Sequence, residues 1–92
     1  MLEFLQGQVV RLSGQVTDIT GVLADPSSMV LKVKTPDGIT TSYSTTLIHD
    51  GSGLYHYDLP LTQAGEHYYR WEATGVDQGA VQDIFYVYAA SI

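Results

Sequence analysis

Histidine and serine side chains are the residues of this sequence best suited to catalysis or zinc binding, provided that their spacing lets them converge. The three histidines, His49, His56 and His67, lie on three different segments without a His-x-x-x-His pair. A zinc site needs about three or four converging ligands, often supplied by such pairs. The chain has no cysteine, and Ser52-Gly53 lacks the preceding Gly-x of a nucleophile elbow. We therefore predict a non-enzymatic protein with no catalytic residues and with histidines on its surface.

Aspartates in predicted loops are the other residues that could hold a cation. Asp18, Asp25, Asp37 and Asp50 all fall in segments predicted to be turns or bends. A calcium ion needs roughly six to eight oxygen ligands at one place, and these aspartates show no Asp-x-Asp-x-Asp spacing. Isolated loop aspartates more commonly accept hydrogen bonds within their own turn. The sequence therefore predicts no metal and no other cofactor.

Aromatic side chains are concentrated in residues 50–74, which hold four of the seven tyrosines and the only tryptophan. This stretch predicts two β-strands, 54–59 and 67–74, joined by a connection rich in proline and glycine. Successive side chains of a strand point to opposite faces, so the parity of each position predicts its side. Alternation places Tyr55, Tyr57, Tyr69 and Trp71 inward, and Tyr68 and Arg70 outward.

The outward positions continue onto the last predicted strand, residues 80–88. If the turn tip is Val76-Asp77-Gln78, Tyr68 faces Tyr86 and Arg70 faces Ile84. Exposed rings beside an arginine are typical of interaction sites, and cross-strand stabilisation is an equally good interpretation. The predicted interaction surface on this sheet consists of Tyr68, Arg70, Ile84, Tyr86 and Tyr88.

Alternation of period two runs through the rest of the chain as well, and no segment has helical period. Strands are predicted at 8–17, 29–35 and 39–44, with a hairpin turn at Pro36-Asp37-Gly38 and a weaker segment at 45–49. This spacing predicts an all-β fold, an Ig-like antiparallel β-sandwich of about seven strands, as a single domain over residues 1–92. Leu23 is expected to plug one end, and Gly53-x-Tyr55 to form a tyrosine corner.

The N-terminal residues 1–7 have two interpretations. They form either an additional edge strand or an arm that docks on a neighbouring subunit, which would make the protein a homo-oligomer. In both cases we expect Leu2 and Phe4 to provide contacts.

Charge and hydropathy exclude some partners. Ten acidic residues against four basic ones give a formal net charge of −6, which lacks the basic stripe that nucleic-acid binding requires. The N-terminus has no signal-peptide pattern, and no apolar run approaches the roughly 18 residues of a membrane helix. We expect no nucleic-acid or membrane partner.

A series of short motifs extends over about residues 8–88. They are Gly14-x-Val16-Thr17, Gly21-Val22-Leu23-Ala24-Asp25-Pro26, Val30-Leu31-x-Val33, Pro36-Asp37-Gly38, Gly53-x-Tyr55, Leu59, Ala64-Gly65, Tyr69-Arg70-Trp71-Glu72-Ala73-Thr74-Gly75 and Phe85-x-Val87. Together these motifs resemble small Ig-like structural proteins of tailed bacteriophages, encoded in the head or head-to-tail module. The resemblance implies a virion protein, made in the host cytoplasm, that docks on capsid, neck or tail proteins as a decoration or connector, and it brings no catalytic residues. One departure from antibody-type domains is Tyr57 in place of cysteine two positions after Tyr55.

Two other functions stay open at this point. The Gly-x-Tyr and Arg-Trp features also resemble bacterial extracellular Ig-like modules, which implies an adhesin that binds a glycan or a cell surface. In that case Tyr68, Tyr86 and Tyr88 would stack on sugar rings. The third interpretation is a cytosolic scaffold protein.

Overall fold

The computed structural model describes residues 2–75 and 79–89, with the backbone alone at Leu2, and these residues form eight strands. No helix in this part of the chain is long and apolar enough to cross a membrane. The strands are β1 (Leu2–Leu5), β2 (Val9–Gln15), β3 (Ser28–Lys34), β4 (Thr40–Tyr43), β5 (Ile48–Gly51), β6 (Leu54–Pro60), β7 (Gly65–Thr74) and β8 (Gly79–Tyr88).

The strands form two sheets, which confirms the all-β prediction and is consistent with a β-sandwich. One sheet has the order β1-β8-β7-β3-β4 and the other the order β2-β6-β5. All neighbours are antiparallel except β1 and β8, which run parallel. The N-terminal segment is thus an additional edge strand rather than a free arm. Because of this additional strand, the described residues form eight strands instead of the predicted seven or so.

The core follows the predicted alternation. Every second residue of β2 and β3 is buried, and the predicted inward residues of β7 and β8 close the space between the sheets. Leu23, which was expected to plug one end, is 38% exposed, whereas Leu61 is buried because its backbone N–H and C=O pair with Gln8 and Gly7. The buried apolar residues are Val10, Leu12, Val16, Met29, Leu31, Val33, Leu59, Leu61, Trp71, Ala73, Phe85 and Val87.

The segment between β4 and β6 differs from its prediction. The weak strand expected at 45–49 begins later, at Ile48, because Ser44 and Leu47 close a turn through a backbone hydrogen bond. Strand β5 then includes Asp50 and Gly51, which were predicted to be part of the turn. The remaining turn depends on Gly53, whose φ of 70° is left-handed and where a Cβ would lie 2.3 Å from the Val16 carbonyl oxygen.

The pairing of β7 with β8 is shifted by two residues from the predicted register. Tyr68 pairs with Ile84 and Arg70 with Gln82, while Tyr86 pairs with Glu66. The predicted Tyr68–Tyr86 and Arg70–Ile84 pairs are therefore wrong, although a shift of two preserves the alternation and leaves all these residues on one face. The assumed turn tip at 76–78 lies outside the described residues.

Candidate functional site

The solvent side of the five-stranded sheet, here called the outer face, collects most of the side chains predicted to form an interaction surface. Central strand β7 brings β3 and β8 together, so Lys34, Tyr68 and Ile84 form one row across the sheet. The next row consists of Lys32, Arg70 and Gln82. The five predicted residues Tyr68, Arg70, Ile84, Tyr86 and Tyr88 thus share this face.

One side of the outer face is an aromatic strip formed by Leu5, Ile84, Tyr86 and Tyr88. The rings of Tyr86 and Tyr88 meet at a centroid distance of 4.9 Å and an interplanar angle of 64°. Tyr88 is 49% exposed and lies beside Leu5 of β1, which is also exposed. The negative charge of nearby Glu3 raises the pKa of the Tyr88 hydroxyl. The strip offers apolar contact area with polar hydroxyl groups in solvent.

The other side is a basic cluster formed by Lys32, Lys34 and Arg70. The carboxylate of Glu72 bridges two of these cations, with Lys32 Nζ 2.9 Å from Oε1 and Arg70 Nε 2.6 Å from Oε2. Lys32 and then Arg70 lower the pKa of Glu72, because hydrogen bonds to cations favour its charged form. The Lys34 ammonium lies 6.0 Å from the centre of the Tyr68 ring. The cluster and the aromatic strip meet at Tyr68.

Tyr68 is held in place by a neighbour on its own strand. Its hydroxyl donates a hydrogen bond of 3.0 Å to Glu66 Oε2, which raises the pKa of Tyr68. The side chain is 39% exposed, so the prediction that Tyr68 points outward is confirmed.

Phe4, one of the two N-terminal residues predicted to provide contacts, does not lie on the outer face. It pairs with Val87 and points inward, where its ring packs edge-on against Phe85 at a centroid distance of 5.6 Å and an angle of 85°. Phe4 is partly buried and packs against the core, so it is not part of the outer-face surface. The side chain of Leu2 lies outside the description, although its backbone pairs with Phe85. Leu5 takes the outward position that sequence reasoning missed.

Lys32 and Lys34 are two further outer-face residues that are missing from the predicted surface. Their outward direction follows from the alternation of β3, which the sequence indicated. What the sequence did not indicate is that β3 pairs with β7, so that both lysines lie beside Tyr68 and Arg70.

The histidines form two separate pairs with aspartates and one core contact. His49 Nε2 lies 2.9 Å from Asp25 Oδ1, and the His49 ring stacks on Tyr55 at 4.6 Å. Asp25 also accepts the Gly53 N–H at 2.8 Å, which is the main reason that its pKa is lowered. In the described residues the Tyr55 hydroxyl makes no hydrogen bond to upstream backbone, as the predicted tyrosine corner would require. The hydrogen bonds of Asp25 to His49 and to the Gly53 N–H stabilise this corner instead.

The other two histidines are separated from that corner. His56 Nδ1 lies 2.6 Å from Asp50 Oδ2 on the three-stranded sheet. His67 is only 2% exposed and stacks on Phe85 at 4.9 Å, with Nδ1 3.2 Å from the Gly65 carbonyl oxygen. The prediction of a surface histidine is wrong for His67, which lies two residues before Tyr69 on β7 and therefore points inward like Tyr69. Within residues 2–75 and 79–89, no group of three or more potential ligands is positioned to hold a metal ion.

No protein-family model, curated protein or solved structure matches this chain. The function is therefore inferred from the geometry of the outer face. Exposed tyrosines, an arginine and flanking charges on one face of a sheet can bind another surface through apolar contact and hydrogen bonds.

Proposed function

We propose that this protein is a non-enzymatic docking module that binds other proteins through the outer face of its five-stranded sheet. The observation that carries the proposal is the position of Tyr68 between the two groups, with Lys34 of the basic cluster 6.0 Å from its ring centre and Ile84 of the aromatic strip as its pairing partner on β8. Tyrosine and arginine are enriched in the centres of protein interfaces, where aromatic rings contribute contact area and arginine donates several hydrogen bonds.

We further propose that the sandwich is Ig-like. The order β8-β7-β3-β4 opposite β2-β6-β5 supports this, because it corresponds to the strand order G-F-C-C′ opposite B-E-D of variable-type Ig domains. In that correspondence the corner position near the start of strand F falls to His67 of β7 rather than to Tyr55. Its ring nitrogen 3.2 Å from the Gly65 carbonyl oxygen would serve the purpose of the usual tyrosine hydroxyl.

The biological setting that we propose is the virion of a tailed bacteriophage, in which the protein docks on capsid, neck or tail proteins. Support comes from the sequence motifs that resemble small Ig-like structural proteins of such phages. A docking face of this kind suits this setting because many copies on a symmetric particle make individually weak contacts sufficient through avidity.

Incorporation into particles tests this function. The protein should be found by mass spectrometry in gradient-purified particles of a phage that encodes it. A Tyr68→Ala, Tyr86→Ala double variant should fold normally and be depleted from the particles. Val9→Ala is the matched control, because Val9 is an exposed apolar residue on the other sheet. Absence of the parent protein from particles, or equal depletion of the control, would contradict the proposal.

An adhesin function is the second candidate, favoured by the exposure of Tyr68 and Tyr88. It is less well supported, because the Lys34 ammonium already lies over the ring of Tyr68 and the rings of Tyr86 and Tyr88 contact each other. Titration with neutral oligosaccharides, followed by NMR, distinguishes the two functions. Shifts confined to these tyrosines would favour the adhesin.

A further inference from the structure

Positive charge is concentrated on the outer face although the chain as a whole is acidic. Of the four basic residues in a protein of formal net charge −6, Lys32, Lys34 and Arg70 lie at neighbouring positions of β3 and β7. The fourth, Arg11, lies on β2 of the other sheet, where Asp58 binds it at 2.8 Å. An acidic segment is therefore attracted locally to these three cations, although Glu3 and Glu66 lie on the same face, opposite Tyr86.

The basic cluster is only partly neutralised by the protein itself. Lys32 and Arg70 share the single carboxylate of Glu72. In the described part of the chain, Lys34 has no carboxylate within salt-bridge distance. Arg70 binds Glu72 through Nε, and its terminal amino groups are suited to a further carboxylate. The cluster thus carries an excess of about two positive charges by count of these four side chains.

The space between the cations has the chemistry of a carboxylate-binding site. An open depression of about 400 Å³ lies between β3, β4, β7 and β8 on this face. No carboxylate of the described residues lines it, whereas hydroxyl and amide groups accompany the three cations and can donate hydrogen bonds to a second anionic oxygen. The lining residues are Lys32, Lys34, Thr40, Tyr68, Arg70 and Gln82.

We propose that the outer face binds an acidic polypeptide segment, whose carboxylates enter this depression while an adjacent apolar side chain packs on the aromatic strip. This inference builds on the docking function proposed above and names the chemistry of its partner. The aromatic strip next to the cations favours a polypeptide over a uniform polyanion, because Ile84 and Tyr86 offer apolar contact area that a polyanion leaves unused. Glu3, Glu66 and Glu72 also interrupt the face, so a nucleic-acid backbone finds no continuous basic stripe.

A synthetic peptide with a repeating Glu-Glu-Leu sequence is a direct probe. Its titration into isotopically labelled protein at low salt should shift the amide signals of Lys32, Lys34, Arg70 and Ile84. The matched Gln-Gln-Leu peptide should bind at least about tenfold more weakly, since it lacks the charges. Arg70→Gln and Lys34→Gln should each weaken binding of the acidic peptide by about three- to fivefold, as expected for exposed charge pairs.

Arg11→Gln is the matched control, because it removes the same charge from the opposite sheet and should leave affinity unchanged. Equal weakening by Arg11→Gln, or equal binding of both peptides, would overturn the inference. Binding of oligogalacturonate without binding of the acidic peptide would also overturn it, in favour of an acidic glycan. If particle incorporation depends on Tyr68 and Tyr86 but not on Lys34 and Arg70, the acidic partner is wrong while the docking function stands.

Discussion

The indole ring of Trp71 lies directly over the backbone of Gly14, where a Cβ atom would stand only 2.7 Å from Trp71 Cδ2. Gly14 belongs to β2 of one sheet and Trp71 to β7 of the other. The largest side chain of the protein thus spans the space between the sheets at a position where the facing strand contributes no side chain. This contact sets the distance between the two sheets at that level of the sandwich.

Gly14→Ala should therefore destabilise the fold by overpacking. The added methyl group would lie too close to three carbon atoms of the Trp71 ring, and such insertions into a packed core cost about 1–3 kcal/mol. The free energy of unfolding, measured by urea denaturation, checks this. Gly79→Ala is the control, because a Cβ there meets nothing within 4 Å. Equal stability of the two variants would contradict the proposed role of the contact.

Substitutions at Trp71 and Tyr68 distinguish the contribution to stability of an inward side chain of β7 from that of an outward one. Trp71→Ala should cost about 3–5 kcal/mol, a large part of the roughly 5–15 kcal/mol that stabilises a small domain. Trp71→Phe should cost less, because it also removes the buried indole N–H, which has no hydrogen-bond partner in the described residues. Tyr68→Ala should leave the circular dichroism spectrum and thermal transition nearly unchanged. Unfolding of the Tyr68 variant would contradict this division.

Alternation was sufficient to predict which residues of most strands are buried, since period two fixes the face of each position once a strand exists. It predicted the inward Trp71 and the outward Tyr68 correctly. Pairing between strands was not accessible in the same way, because register depends on turn geometry and packing rather than on local pattern. For this reason the sequence did not predict the two-residue shift in register that places Ile84 opposite Tyr68.

The proximity of the lysines to Arg70 could not be predicted for a related reason. Strands β3 and β7 are far apart in sequence, and nothing in either strand specifies the other as its neighbour. Phe4 shows a further limit, since a four-residue strand has too little pattern to indicate its buried side. It faces inward because the parallel pairing with β8 places it beside Val87.

Acid should destabilise the protein through its loop and surface carboxylates. Asp18, Asp25, Asp37 and Asp58 have pKa values below the ordinary 3.8, and Glu72 has a pKa below 4.5. The main causes are hydrogen bonds to the charged forms, such as that from the Thr35 hydroxyl to Asp37. The unfolded chain therefore binds more protons in this range, and the stability that these groups contribute is lost as pH falls from their unfolded pKa values through the lower folded values.

Urea denaturation at a series of pH values below about 5 checks this linkage. The free energy of unfolding should fall steadily on acidification. Asp37→Asn removes one of the responsible groups and should make the pH dependence shallower. A rise in stability on acidification through this range would contradict the direction of these pKa shifts.

The open part of strand β8 is protected by a carboxylate. Gln6 donates its N–H to the Tyr88 carbonyl oxygen at 2.9 Å, so the peptide groups of even-numbered residues in β8 point toward the β1 side. Among the described residues, the pairing of β1 with β8 begins at Phe85. The Ile84 N–H lies just before that point and is bonded to Asp83 Oδ1 at 2.8 Å. A charge on an unpaired strand edge hinders pairing with another chain.

Asp83→Ala should therefore increase self-association, since it frees the Ile84 N–H and removes the charge from the edge. In sedimentation velocity experiments, the weight-average sedimentation coefficient should rise with protein concentration for this variant and stay constant for the parent protein. Asp58→Ala is the matched control, because it removes the same charge from β6, the central strand of the other sheet. If both variants associate equally, reduced net charge is the cause. If neither does, Asp83 has no protective role.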